Sequence, residues 1–375
     1  MTPDHELAKG RQHEQGEGHE EHAPLTMEGE QAANSRPRVP ATRSLPALMF
    51  LRNYGIVFAF ILVCLLVSLL CQYRVMKGEW AENAFLTPDN FLLILYQISI
   101  NGILAIGMTF VVISGGIDLS VGSVLAFAGM LAASFATSLT TVTPWSGTYG
   151  LAVPILAALL GGVACGALNG WIVSRFRIQP FIATLGMLLV ARGGTMALTG
   201  GNPISSLSPR LRWFGTGKLA SIPIPIVVFA VVFAIAWVVL NRTVFGRYVY
   251  AVGGNERSAR TSGIRTNQIK IWVYAMSGFL AGMAGIVLTA KTGSGQTNAG
   301  SSYELDAIAA AVIGGASLSG GVGKLSGTLF GALIMGVMNN GLDILGVESY
   351  YQLIIKGALI VTAVVIDPSR KSADS

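Results

Sequence analysis

From about residue 54 onward the chain alternates apolar runs with short polar connectors. The runs fall at 54–71, 91–113, 121–139, 149–173, 181–198, 222–240, 271–290, 305–318, 327–345 and 350–366. Runs of about 20 apolar residues fit helices crossing hydrocarbon, where each backbone N–H and C=O must find its partner inside the segment. The pattern predicts an all-α fold, a polytopic membrane protein of about ten transmembrane helices.

Composition agrees. Of 375 residues 52% are hydrophobic and only 12% charged, against roughly 25% charged in a soluble domain. The formal charge of +6 is dispersed over connectors and reads as membrane topology, with no basic stripe for a nucleic acid. Cys64, Cys71 and Cys165 lie in or beside apolar runs without metal-ligand spacing. All 4 histidines, His5, His13, His19 and His22, precede the first run, so the membrane body has no imidazole for proton relay or metal binding.

Residues 1–46 are rich in Glu, Gly, Gln and Pro and too polar to form a core, which predicts a disordered cytoplasmic tail. Arg36, Arg38, Arg43 and Arg52 before the first run hold that end inside. The transmembrane domain is then 47–367, with a second cytoplasmic tail at 368–375. Residues 174–179 and 241–270 obey the positive-inside rule, the latter with six basic residues against one acid. Residues 199–221, expected outside, carry Arg210, Arg212 and Lys218 and run against it.

Two runs are unusual. The one at 121–139 follows a glycine turn directly, and the one at 305–318 is too short to cross, a trait of helices that line cavities. Gly115 to Gly122 and Gly314 to Gly321 share the pattern GGxxLSxG, which predicts two pseudo-repeated halves. A chance match between glycine-rich helices is the competing explanation.

Polar side chains in apolar runs need a reason. Asn101, Asp118, Ser120, Asn169, Asp306, Asn339 and Asn340 are the candidates for a translocation pathway, with Gln97 and Ser99 nearby. Neutral amides and hydroxyls exchange hydrogen bonds with a passing polyol without trapping it. Interhelical hydrogen bonding is an equally good reason for any one of them. Asp118 is also placed to cap the following helix. Lys356 and Arg192 are expected to snorkel, or to pair with a carboxylate such as Asp343 or Glu348.

The connector at 241–270 encodes a short helix. Asn255 is its N-cap, Glu256, Arg257, Ser258, Ala259, Arg260, Thr261 and Ser262 follow, and Gly263 is its stop. So short a helix is unstable alone and must rest on something, either the membrane surface or a soluble partner.

Four segments, SGGIDLSVGS (114–123), QPFIATLGMLLVARG (179–193), GRYVYAVGGNERSARTSGI (246–264) and YELDAIAAAVIGGASLSGG (303–321), resemble in order and spacing the permease subunit of ribose-type ABC sugar importers. The resemblance runs from about residue 53 to 367. It implies an all-helical permease working as a homodimer, with 256–262 as the coupling helix seated in a cytoplasmic ATPase subunit. It further implies that a periplasmic sugar-binding protein docks outside. The acidic, His-containing tail departs from the family pattern.

The chain has no GxxxxGK[ST] phosphate loop: Gly217-Lys218 and Gly323-Lys324 are each followed by leucine and lack the earlier glycine. No cofactor is expected here, ATP and Mg2+ being held by the partner ATPase, and the chain is read as a transport subunit rather than an enzyme. The expected function is an ATP-driven importer's pathway for a monosaccharide such as ribose, in the plasma membrane with both termini inside. The alternative is an ion-gradient-driven sugar carrier with Asp118 or Asp306 as coupling carboxylate.

Overall fold

The computed structural model describes residues 46–138 and 150–366. The histidine-bearing tail and the carboxy tail lie outside the described residues. The body from Phe50 is one compact unit. Its helices are α1 (Pro46–Met76), α2 (Pro88–Ile113), α3 (Val121–Ala136), α4 (Ala152–Phe176), α5 (Pro180–Ala197), α6 (Pro209–Thr216) and α7 (Ile224–Arg242). They continue as α8 (Val244–Gly254), α9 (Glu256–Thr261), α10 (Thr266–Thr292), α11 (Tyr303–Ile313), α12 (Leu325–Ile344) and α13 (Ser349–Ile366). Among the described residues the only sheet is a hairpin of Lys218–Leu219 against Ile222–Pro223.

Each of the ten apolar runs is a helix, with ends shifted by a few residues. Among the described residues seven helices are long and apolar enough to cross a membrane. The two shortest of the ten, α3 with 16 residues and α11 with 11, are those the sequence marked as unusual. The connector at 199–221 is not a plain loop. It holds α6, whose Leu211 and Gly215 are buried where α6 meets α10 near Lys291.

The core is centred on α10, whose apolar window is 72% buried. In lipid there is no hydrophobic drive between helices, so close contact must supply the attraction. Small residues permit it: α4 presents Gly162, Gly166 and Gly170 to Gly278, Tyr274 and Ile271 of α10. A methyl group on Gly162 or Gly278 would collide with the other's carbonyl oxygen.

The two glycine turns have the same architecture. After α2, Gly115 N–H donates to Val112 O (2.9 Å) and Gly116 N–H to Val111 O (2.9 Å); after α11, Gly315 donates to Val312 O (2.8 Å) and Ala316 to Ala311 O (3.0 Å). Both are Schellman caps with a left-handed glycine, Gly115 at φ 80° and Gly315 at φ 84°. Beyond the cap the second turn is one residue shorter. Asp118 Oδ1 accepts from Ser120 N (3.0 Å), and Ser317 Oγ accepts from Ser319 N (3.2 Å). The left-handed glycine is the first of the Gly-Gly pair in one turn and the second in the other, and the same cap recurs at Gly78, Gly263 and Gly346, so the caps alone do not distinguish a repeat from a chance glycine match.

Candidate functional site

The seven pathway candidates divide into three separate clusters. The first lies under the α2–α3 turn. Asp118, 1% exposed, accepts from Ser120 N–H (3.0 Å) and Ser120 Oγ (2.6 Å) through one oxygen, and from Ser277 Oγ (2.9 Å) through the other. Asn169 donates to Ser120 Oγ (2.9 Å). Tyr274 of α10 donates to Ile117 O (3.3 Å) in the same turn. Asp118 thus folds the turn ahead of α3 by accepting from Ser120, the residue before the helix, and does not cap the N–H groups of α3 itself; the carboxylate's needs are met on both oxygens.

The second cluster lies between α2, α11, α12 and α13. Asp306, 4% exposed, accepts through Oδ2 from Asn101 (3.4 Å), Asn339 (3.4 Å) and Lys356 (3.3 Å). Its Oδ1 is ion-paired with Lys356 Nζ at 3.2 Å, while Asn101 Oδ1 and Asn339 Oδ1 are buried without hydrogen-bond partners. Beside them is a void of about 20 Å3 lined by Gln97, Asn101, Asp306 and Asn339. That is room for one water and none for a sugar.

Asn340 belongs to neither group. It forms a reciprocal amide pair with Asn90 of α2 (2.8 and 3.1 Å), a helix-to-helix clasp. Ser99, back-bonded to Tyr96 O (2.7 Å), is satisfied within α2. Lys356 meets Asp306 rather than Asp343 or Glu348, and Asp343 accepts from Gln352 instead (2.9 Å). Arg192 donates to Thr297 O and Ala299 O (2.8 Å each), clamping the loop before α11. Ser277, Tyr274 and Asn90 were absent from the sequence-based set. Short polar groups on glycine-rich helices carry no distinguishing spacing.

On the connector, α9 forms as the residues dictate. Asn255 Oδ1 accepts from Ser258 N (2.9 Å). A Schellman cap ends the helix, with Gly263 N–H to Arg260 O and Ile264 N–H to Ala259 O at 3.0 Å each. Ala259 is buried. Glu256 joins Lys270 of α10 (2.6 Å) and Arg260 (3.0 Å), and Arg260 also donates to Thr266 Oγ1 (3.1 Å). Partial burial raises the Glu256 carboxyl's pKa, but the Lys270 hydrogen bond and charge, with Thr266 and Arg260, outweigh this and leave it below its ordinary 4.5. Arg257 is exposed and has no such bond among the described residues. The two arginines of α9 therefore differ: Arg260 holds the helix together and Arg257 faces outward. A cavity of about 670 Å3 opens beside α9, lined by Arg177, Arg257, Arg260, Lys270 and Glu256 among others.

The end of α8, immediately before α9, meets both glycine turns. Gly321 N–H donates to Ile113 O (2.8 Å), and Gly253 fits against that bond so closely that a Cβ would overlap the Ile113 carbonyl and stand 2.6 Å from Gly321 N. A Cβ on Gly320 would stand 2.7 Å from Gly253 O and 2.9 Å from Gly115 Cα. Tyr250 of α8 donates to Gly323 O (2.7 Å).

The sequence model of the family described as "Branched-chain amino acid transport system / permease component" matches residues 90–364. The ribose import permease protein of Escherichia coli strain K12 is 47% identical over 291 residues, 76% of this chain and 88% of its own. That of Bacillus subtilis strain 168 is 46% identical over 295 residues, 77% of this chain and 88% of its own. The D-allose transport system permease protein of Escherichia coli strain K12 is 38% identical over 323 residues, 85% and 92%. No solved structure matches. With a match over most of its length and relatives covered nearly end to end, the chain belongs to this family of transport-system permease components.

Proposed function

We propose that this permease component forms the translocation pathway of an ATP-driven importer for a monosaccharide, ribose first. Support for the sugar comes from names: relatives at 46% to 48% identity are ribose import permeases, while allose and xylose permeases stand at 38% and 35%. The family description names branched-chain amino acids, whereas the relatives at 35% to 48% identity are named for sugars.

Coupling to a cytoplasmic ATPase, which holds the ATP and Mg2+, is assigned to residues 255–263. The observation that carries this is the construction of α9. Six residues are too few for a helix stable in water, yet both ends are capped and Glu256 ties it to α10, leaving Arg257 presented outward. A periplasmic sugar-binding protein delivers sugar outside, a second copy completes the permease, and both termini face the cytoplasm. Asn101, Asp306 and Asn339 line the pathway. Asp118, Ser120, Asn169 and Asn340 are better explained as packing.

An ion-gradient carrier needs a carboxylate free to bind and release its ion. Asp118 has three donors and Asp306 has Lys356. The test is Arg257→Glu in the reconstituted complex. Sugar-stimulated ATP hydrolysis is expected to fall about tenfold or more, since reversing a docking charge costs over about 1.4 kcal/mol. Unchanged stimulation would remove α9 from the coupling role.

A further inference from the structure

We infer that the junction of Gly253 with the two glycine turns is the element that carries displacement of α9 to the Asp306 cluster; this rests on the coupling role proposed for α9. Side chains absorb small motions by changing rotamer, whereas close-packed backbone transmits them. At this junction the contacts are backbone on backbone. Gly253 lies against Ile113 O and Gly321 N, Gly320 against Gly253 O and Gly115 Cα, and Gly321 against Gly254 Cα. Gly253 is also two residues from the Asn255 cap of α9.

Three helices lead away from the junction to the same place. Helix α2 ends at Ile113 and carries Asn101; α11 ends at Ile313 and carries Asp306; α12 begins at Leu325 and carries Asn339. At 1.5 Å per residue the three side chains stand about 18, 10 and 21 Å along their helices from the junction. Near the junction the helices are held by continuous hydrogen bonds and tight contact. At the other end they meet through two 3.4 Å amide bonds, with the amide oxygens of Asn101 and Asn339 left without hydrogen-bond partners. A displacement applied at the tight end is therefore expressed at the loose end, where the amides separate and a hydroxyl-bearing solute can replace them. Gly253, Gly320 and Tyr250 act on this account as positioning residues.

Gly254 supplies an internal control, because a Cβ there meets nothing within 4 Å. In the assembled complex, Gly254→Ala is expected to retain sugar transported per ATP hydrolysed. Gly253→Ala is expected to lose about tenfold in that ratio while the ATPase stays bound and basal hydrolysis persists. Tyr250→Phe removes one hydrogen bond without adding bulk, and guards against a Gly253 variant that does not fold. It is expected to lower the ratio by about two- to fivefold. A wild-type ratio in Tyr250→Phe, or in a Gly253→Ala protein that assembles, overturns the inference if Arg257→Glu uncouples the same complex. If Arg257→Glu also leaves coupling intact, the coupling role of α9 itself has failed, and this inference fails with it.

Discussion

Two aspartates are buried in this protein to nearly the same degree, 1% exposed at Asp118 and 4% at Asp306, and they are supported in different ways. Asp118 is held by neutral donors: one backbone N–H and two hydroxyls on short side chains, each 3.0 Å or less from it. Asp306 is held by a lysine and two amides at 3.2 to 3.4 Å, beside unpartnered oxygens and a water-sized void. A fully satisfied polar group fixes one geometry. One left partly unsatisfied in a low-dielectric interior favours exchange of partners. Asn169 Oδ1 beside the Asp118 cluster also lacks a partner, so the contrast rests on the two carboxylates: the close neutral donors of Asp118 suit a permanent turn, and the longer contacts and void at Asp306 suit a place that opens.

The largest expected effect separates the two at once. Lys356→Met leaves Asp306 without its countercharge, and breaking a buried pair costs about 3–5 kcal/mol. The variant should yield little monodisperse protein on size-exclusion chromatography, whereas Lys356→Met with Asp306→Asn should restore it. Transport then decides the cluster's role. If the double variant folds but imports sugar with altered KM or turnover, the cluster lies on the pathway; wild-type import would reduce it to packing.

Asp118→Asn is expected to cost less, about 1–3 kcal/mol, because the amide must turn an N–H toward a hydroxyl that now has to accept. The loss should appear as a lower melting temperature with import per folded molecule unchanged. A transport defect at normal stability would erase the contrast between the two aspartates.

The sequence disclosed the helices through apolar length and the coupling stub through Asn255 and Gly263, because caps and spans are local signals. It disclosed the two turns through their Gly-Gly pairs, since left-handed caps favour glycine, although the left-handed residue is the first of the pair at Gly115 and the second at Gly315. It did not disclose which polar residues meet. Asn101, Asp306, Asn339 and Lys356 come from four helices, and the matching pair Asn90 and Asn340 lies 250 positions apart. Helix rotation decides such meetings, and rotation depends on packing against every neighbour. Lys356 could be singled out only as a charge within an apolar run, expected to snorkel or to meet a carboxylate such as Asp343 or Glu348, and nothing local pointed to Asp306. The junction at Gly253 was invisible for a similar reason: Gly253 and Gly254 read alike, and only at Gly253 would an added Cβ meet anything.

The smallest expected effect sharpens the contrast by moving it into water. Glu256 and Lys270 form the same kind of pair as Asp306 and Lys356, at 2.6 Å, but the glutamate side chain is 37% exposed. Solvent screening limits such pairs to about 0–1 kcal/mol, so Lys270→Met should leave folding and yield intact where Lys356→Met does not. The pH dependence has a definite sign. Because the Glu256 pKa is lowered on folding, its contribution is fully present above the ordinary 4.5 and is lost as pH falls through the lowered value. Hydrogen exchange at residues 256–262, corrected for intrinsic exchange rates, should therefore show constant protection of α9 through neutral pH and less only in the acid range below 4.5. In Lys270→Met that protection should be weaker at neutral pH. Equal protection in the two proteins would mean that the caps of α9, and not its ion pair, hold it in place.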